Sequence, residues 1–387
     1  MSRQIQPEYH LPTEIYIKPG IVRNSSEIVS KFGSRAVIIT VSPDFEIYQE
    51  RLSEIYSYFK NLNIGCIIYD EIPGDPTTED IDVAVSFIKK TRCDIIIGFG
   101  GVQSINSAKS VALLSSNFIF CHDALSSVKE LNKPVTLITI PAYPCFGFEI
   151  APLFFLKEIH QMSHKALYDL SLYPTATIVD PELTFLASEQ KILNTSLSSL
   201  ALATESVIST MNNDVINTYA LKSIDHIFRN LPVAYKEPGN ILPRNYLSTA
   251  SVMAGITFSV AFLSVSLAIA LALASKSSVD VDTAIALIIP HIMEFNLTTS
   301  PGKYVQMSKV MGEEVRDVTV IEAAIKAVEA VRKLEIDVDF PQRLSSFNVT
   351  QAQFKEIAEL ANTYPFIKNT PRVLSQSEIE TILIAAF

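Results

Sequence analysis

Two kinds of site chemistry have candidate residues here, metal ligation and phosphate binding, and both sets are thin. The six histidines are His10, His122, His160, His164, His226 and His291. His160 and His164 are four apart, which on a helix would place both imidazoles on one side like a ligand pair. A polar surface loop is the plainer reading of that stretch, and His122 beside Asp123 reads as a solvated turn. The four cysteines, Cys66, Cys93, Cys121 and Cys145, form no C-x-x-C pair. They read as reduced thiols of a cytosolic protein. Phosphate chemistry has one candidate, Gly98-Phe-Gly-Gly101, in a chain with only 12 glycines. That is less than half of the roughly 7% usual in proteins. Proton transfer has Tyr143, Glu149 and Lys165 as candidates.

The elements that would position these residues alternate in the first half of the chain. Ala36–Val41, Gly65–Tyr69, Asp94–Phe99 and Val135–Ile140 are short β-rich runs. A helical pattern between the first two puts Leu52, Ile55, Tyr56 and Phe59 on one face. Thr77-Thr-Glu-Asp80 has the form of a capping box and opens a helix over 81–90. Another helix spans 104–114. This βαβ alternation predicts a parallel sheet covered by helices, an α/β domain. Phe148–Phe155 and Thr175–Val179 also read as strands. Beyond Pro181 the segments are long and helical, so the expected organisation is an α/β domain over 1–181 and an all-α domain over 182–387.

The glycine turn carries the first family signal. Gly98-Phe-Gly-Gly-Val-Gln-Ser-Ile-Asn-Ser-Ala-Lys109 resembles the nucleotide loop of iron-containing alcohol dehydrogenases, whose pattern is G-G-G-S-x-x-D-x-A-K. Asp75-Pro-Thr-Thr-Glu79, Thr139-Ile-Pro141 and Tyr173-Pro-Thr-Ala-Thr-Ile-Val-Asp-Pro-Glu-Leu183 resemble further family segments. So do Ala254–Ser259, Ile289–Asn296 and Asn369-Thr-Pro-Arg372. Their order and spacing run through nearly the whole chain. The resemblance implies a dehydroquinate synthase-like fold: an N-terminal α/β domain for NAD(P) and a helical domain for Fe²⁺ or Zn²⁺, with the site in the cleft between them. The family's metal polarises the alcohol or aldehyde oxygen while hydride moves to or from the nicotinamide.

Carried over residue by residue, the metal set is missing. The family's ligands are one Asp and three His. Anchored on Glu205, its D-x-x-x-H-x-x-E helix puts Ser198 at the Asp position and Leu202 at the first His. The later pattern gives Leu267 and Val281 as the remaining ligands, with Leu271 at a further family histidine near the reacting centre. Aliphatic side chains have no lone pair to donate, and a neutral serine alone does not hold Fe²⁺ or Zn²⁺. No histidine lies between His226 and His291, so a slip of one residue rescues nothing. His291, in the family's Pro-His motif, reads as structural.

The nucleotide loops are altered too. By resemblance the cofactor residues are Gly100, Gly101, Asn106 (the family's Asp), Lys109 and Lys165. Val102 brings a β-branched side chain where backbone must approach phosphate closely. The second loop, Ala142-Tyr-Pro-Cys-Phe-Gly-Phe-Glu149, replaces the family's T-T-x-G-T-G-S-E and removes its hydroxyls. The acidic residue expected after the first strand has no clear counterpart, since Val41-Ser-Pro-Asp44 is offset from the pattern.

The net charge of −10 supplies no cationic face for a nucleic-acid backbone. No targeting peptide is expected in Met1–Thr13, and the protein is expected in the cytoplasm. The stretch from Asn245 to Ser275 is free of charge and long enough to span a bilayer. A buried helix is the preferred reading, with leucines packed where family histidines would stand. The expectations are therefore a homodimer, with a protein partner as a further option, and a scaffold or binding role without metal-dependent activity. The alternative is an NAD(P)-dependent alcohol or aldehyde oxidoreductase with a metal-free site.

Overall fold

A computed structural model describes residues 9–126, 131–341 and 343–387. Eight strands occur among them: β1 Glu14–Ile17, β2 Arg35–Val41, β3 Gly65–Ile72, β4 Ile95–Gly100, β5 Thr136–Pro141, β6 Leu153–Glu158, β7 Ser163–Tyr168 and β8 Ala176–Val179. The N-terminal helices are α1 Ser25–Val29, α2 Ser42–Asn61, α3 Thr78–Thr91, α4 Val102–Ser115 and α5 Cys121–Ser126. After β8 come α6 Glu189–Ile208, α7 Asp214–Lys236, α8 Ile241–Ala261, α9 Val265–Lys276 and α10 Val281–Asn296. The chain ends in α11 Pro301–Val310, α12 Val320–Asp337, α13 Phe354–Ala361 and α14 Gln376–Ala385.

Six strands form one sheet in the order β1-β8-β5-β4-β2-β3, with every pairing parallel. Its two faces are buried by alternate residues, as the near-continuous apolar runs require. Val37, Ile39 and Ile96 pack on one side with α3 and α4, while Ala36, Ile38, Ile95 and Ile97 pack on the other with α2. β2 and β4 are neighbours, yet the chain leaves them toward opposite edges of the sheet. The carboxyl ends of such strands open a crevice where ligands bind in α/β sheets. The Thr77–Asp80 capping box forms as read.

Three local readings change. Phe148–Phe155 is not one strand: 147–151 is a tight turn, and β6 starts only at Leu153. The turn is held because Gly147, at φ +89°, meets Gly255 of α8 so closely that a Cβ on Gly147 would lie 2.3 Å from the Gly255 Cα. Tyr56 is largely exposed, leaving Leu52, Ile55 and Phe59 as the buried stripe of α2. The charge-free stretch is not one helix either. It breaks at Phe262, in the left-handed region at φ +41°, and α8 and α9 meet at 99°. Among the described residues no single helix is long and apolar enough to cross a membrane, though this bent pair passes on length and composition together. α9 is buried from Val265 to Leu273 inside the helical domain's core.

Candidate functional site

A cleft of about 1020 Å³ lies between the sheet's carboxyl edge and the helical domain. Its walls come from the end of β2 and the start of α2 (Val41, Asp44, Tyr48), the start of α4 (Val102, Gln103), the 143–146 loop, the β6–β7 hairpin, the start of α6 and the α9–α10 connection. It is the crevice that the strand order leads to.

The four positions that correspond to family metal ligands lie on three helices beneath this cleft. Ser198 and Leu202 are on α6, Leu267 on α9 and Val281 at the start of α10. Ser198, Leu202 and Leu267 are fully buried, as is Leu271, and Val281 alone reaches the cleft wall. The Ser198 hydroxyl is turned into the protein, donating 2.9 Å bonds to the Asn194 and Asp282 carbonyls. Each buried aliphatic residue stabilises the fold by roughly 1.5–3 kcal/mol over leaving it exposed. Among the described residues no three His, Cys, Asp or Glu side chains gather as a metal site would require. The donor set therefore does not fit Fe²⁺ or Zn²⁺. His160 lies in the β6–β7 turn and His164 on β7 rather than on one helix: His160 is exposed beside Glu79, while the buried His164 ring meets the Ser275 hydroxyl. Burial pushes His164 below the usual histidine range.

Glu205, the anchor of the ligand-helix reading, has a structural task. Its carboxylate accepts hydrogen bonds from the Val265 and Ser266 N–H groups and from the Ser264 and Ser266 hydroxyls. It caps α9 from outside, satisfying N–H groups that have no partner within the helix. Burial still raises its pKa to about 7.

None of the five expected cofactor residues lines the cleft. Lys109 is turned into the core, where its ammonium donates to the carbonyls of Phe148, Ala151 and Leu153 at 2.5–2.8 Å. Burial lowers its pKa to about 7. Asn106 is fully buried with neither amide atom hydrogen-bonded, and nothing in the structure explains that cost. Lys165 sits in β7 opposite Leu156. Gly100 and Gly101 are covered from inside the protein. Asp44 Oδ2 accepts the Gly101 N–H at 2.7 Å and the Ser104 hydroxyl at 2.6 Å. The hydroxyl of Tyr143 lies where a Gly101 Cβ would point, 1.7 Å from that position. The cradle a pyrophosphate would need is thus filled, and the residues present do not fit the dinucleotide either.

Of the three acid–base candidates, only Tyr143 reaches the cleft. Burial holds its hydroxyl well above the usual tyrosine range, so it stays protonated. Glu149 is buried beneath the loop with Oε2 unpartnered, its pKa raised to about 7 by burial.

The sequence reading missed the polar seam that crosses these positions. Lys191, Asn194 and Ser198 recur at i, i+3 and i+7, so they share one face of α6. They meet Asp282 and Thr283 on α10: Lys191 Nζ pairs with Asp282 at 2.8 Å and Asn194 bonds the Thr283 hydroxyl at 2.7 Å. Burial opposes the Lys191 charge, but Asp282 outweighs it and raises the lysine's pKa. Burial raises Asp280, with Asp282 adding to it. The spacing on α6 was readable; its partner lay 91 residues away.

The model of the iron-containing alcohol dehydrogenase family matches residues 12–181, and that of the Fe-containing alcohol dehydrogenase family C-terminal region matches 192–387. A 1,3-propanediol dehydrogenase of Klebsiella pneumoniae is 23% identical over 98% of both chains. An NAD-dependent methanol dehydrogenase of Bacillus methanolicus is 22% identical over 97% of this chain and 98% of its own. Among solved structures, a 1,3-propanediol oxidoreductase superposes over 100% of both chains with a TM-score of 0.94 at 23% identity. An alcohol dehydrogenase from Oenococcus oeni covers 98% of this chain and 100% of its own, with a TM-score of 0.93 at 20% identity.

Proposed function

This chain belongs to the iron-containing alcohol dehydrogenase family, and we propose that it keeps the family's fold and cleft without the family's metal-dependent dehydrogenase activity. The observation that carries the reading is the full burial of Leu202 and Leu267, packed as ordinary core where imidazoles would be needed. A Lewis acid has no site in such packing, and without one the alcohol oxygen is not polarised for hydride loss. The relatives are named as dehydrogenases, but a shared fold does not carry a shared site. The cleft of about 1020 Å³ favours a small-molecule binding role over a purely scaffolding one.

The test is direct. The purified chain is incubated with Fe²⁺ or Zn²⁺, desalted and analysed for metal per chain. It is then assayed for oxidation of short-chain alcohols with NAD⁺ and NADP⁺. The expected result is far less than one metal per chain and no turnover above a no-enzyme control. One tightly held metal per chain, accompanied by turnover, overturns the proposal.

A further inference from the structure

A dinucleotide enters a fold of this kind by laying its pyrophosphate on the backbone N–H groups where the glycine turn becomes a helix. In this chain the helix is α4 and the turn is Gly100-Gly101. Gly100 has φ +131°, and a Cβ there would lie 2.3 Å from Asp44 Oδ2 and 2.6 Å from the Ser104 hydroxyl. A Cβ on Gly101 would strike Tyr143. Both surviving glycines are therefore accounted for by internal partners, with no nucleotide invoked. The Asp44 carboxylate receives the hydrogen bond that a phosphate oxygen would take, and it is almost fully buried.

The rest of the cleft offers a pyrophosphate little compensation. Its three lysines each already face a carboxylate: Lys157 with Asp75, Lys191 with Asp282 and Lys276 with Glu356. Asp280 adds a further acidic group to the wall.

We infer that the Asp44 carboxyl group occupies the pyrophosphate position on the glycine turn, backed by Tyr143, so that the cleft rejects dinucleotides until these two side chains are cut back. The Asp44 carboxyl oxygen and a phosphate oxygen would compete for the same Gly101 N–H. Removing Asp44 frees that N–H for a phosphate oxygen and should tighten binding roughly ten- to a hundredfold, the worth of one hydrogen bond to a charged group. The inference rests on the loop and is independent of the metal positions.

The experiment is isothermal titration calorimetry with ADP-ribose and with NADH on the wild-type chain, Asp44→Ala, Tyr143→Ser and the double variant, with a thermal melt confirming that each is folded. Wild type is expected to give no saturable heat into the millimolar range. Asp44→Ala should gain measurable affinity, and the double variant should bind tightest. If Asp44→Ala does not fold, Asp44→Asn keeps the side chain's shape without its charge and should show a smaller gain. Micromolar binding by wild type overturns the inference, as does a folded double variant that still gives no binding. Neither readout needs metal or turnover, so failure here is distinct from failure of the functional proposal.

Discussion

Cutting Leu267 back to alanine is the sharpest test of whether the family's metal cavity has become core. Leu267 is fully buried on α9, in the same cluster as Leu202 and Leu271. Removing its isobutyl group forfeits the burial of several methyl and methylene groups and leaves a void the rigid surroundings fill only in part. Buried Leu→Ala changes cost about 2–5 kcal/mol, the upper end where the cavity stays open. With helices packing on it from more than one side, Leu267→Ala is expected near ~3 kcal/mol. For a unit of this size about 1 kcal/mol moves Tm by roughly 2–4 °C, so the expected drop is ~6–12 °C. Val281 is the internal control: it stands at a position of the same family site but borders the open cleft at 9% exposure. Its change to alanine removes less buried surface and leaves space already in contact with solvent, so ~1 kcal/mol is expected. Urea denaturation of wild type, Leu202→Ala, Leu267→Ala and Val281→Ala supplies the comparison, with unchanged m-values required before the midpoints are compared. If Leu267→Ala costs no more than Val281→Ala, the buried positions are not packed as core and the argument against a metal there fails.

Glu335 gives a pH-dependent expectation. It is buried on α12 with Oε1 unpartnered, and burial raises its pKa from 4.5 to about 8. The folded chain therefore holds a proton that the unfolded chain releases, and this residue's contribution to stability falls as pH rises from about 4.5 to about 8. Glu335→Gln removes that penalty: unfolding free energies from urea titrations should match wild type near the bottom of the window and exceed it at the top by on the order of 2–4 kcal/mol. An equal effect at both ends would exclude the carboxylate's titration as the cause. Lys109→Met should be the most damaging single change here, because it strips the donor from three buried carbonyls at about 1–3 kcal/mol each. Loss of soluble protein, or a Tm drop larger than that of Leu267→Ala, is expected. A near-neutral melt would show that the ammonium is not holding the 148–153 segment.

What the sequence disclosed about the fold was local. Ala36–Val41 and Asp94–Phe99 read as strands because each carries a run of consecutive β-branched residues, Val37–Val41 and Ile95–Ile97. The Thr77 helix start read correctly because cap and partner are three residues apart. What it concealed depended on distant partners. Phe148–Phe155 reads as one strand although Pro152 marks a break just before β6; what the sequence did not show is the Gly147–Gly255 approach and the Lys109 ammonium that hold its first half in a turn. The α8–α9 break has no proline or glycine to mark it. Phe262 adopts the left-handed conformation, and Ser264 caps the new helix together with Glu205 from 59 residues earlier. The altered ligand identities were legible because each position was a simple question of donor chemistry. Their replacements were not: the seating of Asp44 depends on a three-dimensional meeting 57 residues long in sequence.

Those replacements explain how the fold tolerates the missing ligands. The ligand positions lie on α6, α9 and α10, so a metal bound to such a set would tie those three helices together. Here the same helices are tied by other means. Lys191–Asp282, Asn194–Thr283 and the Ser198 bond to the Asp282 carbonyl join α6 to α10, and Glu205 joins α6 to the start of α9. Leu202, Leu267 and Leu271 fill the space between. Asp282 is buried while Lys191 reaches the cleft, so losing the lysine leaves a buried carboxylate short of its partner and this seam resists piecemeal change. One histidine placed at Leu202 or Leu267 would bury an unpaired imidazole and gain no metal, because the remaining donors would still be absent. Placing a ligand set at these positions would require changing the seam and the apolar packing together.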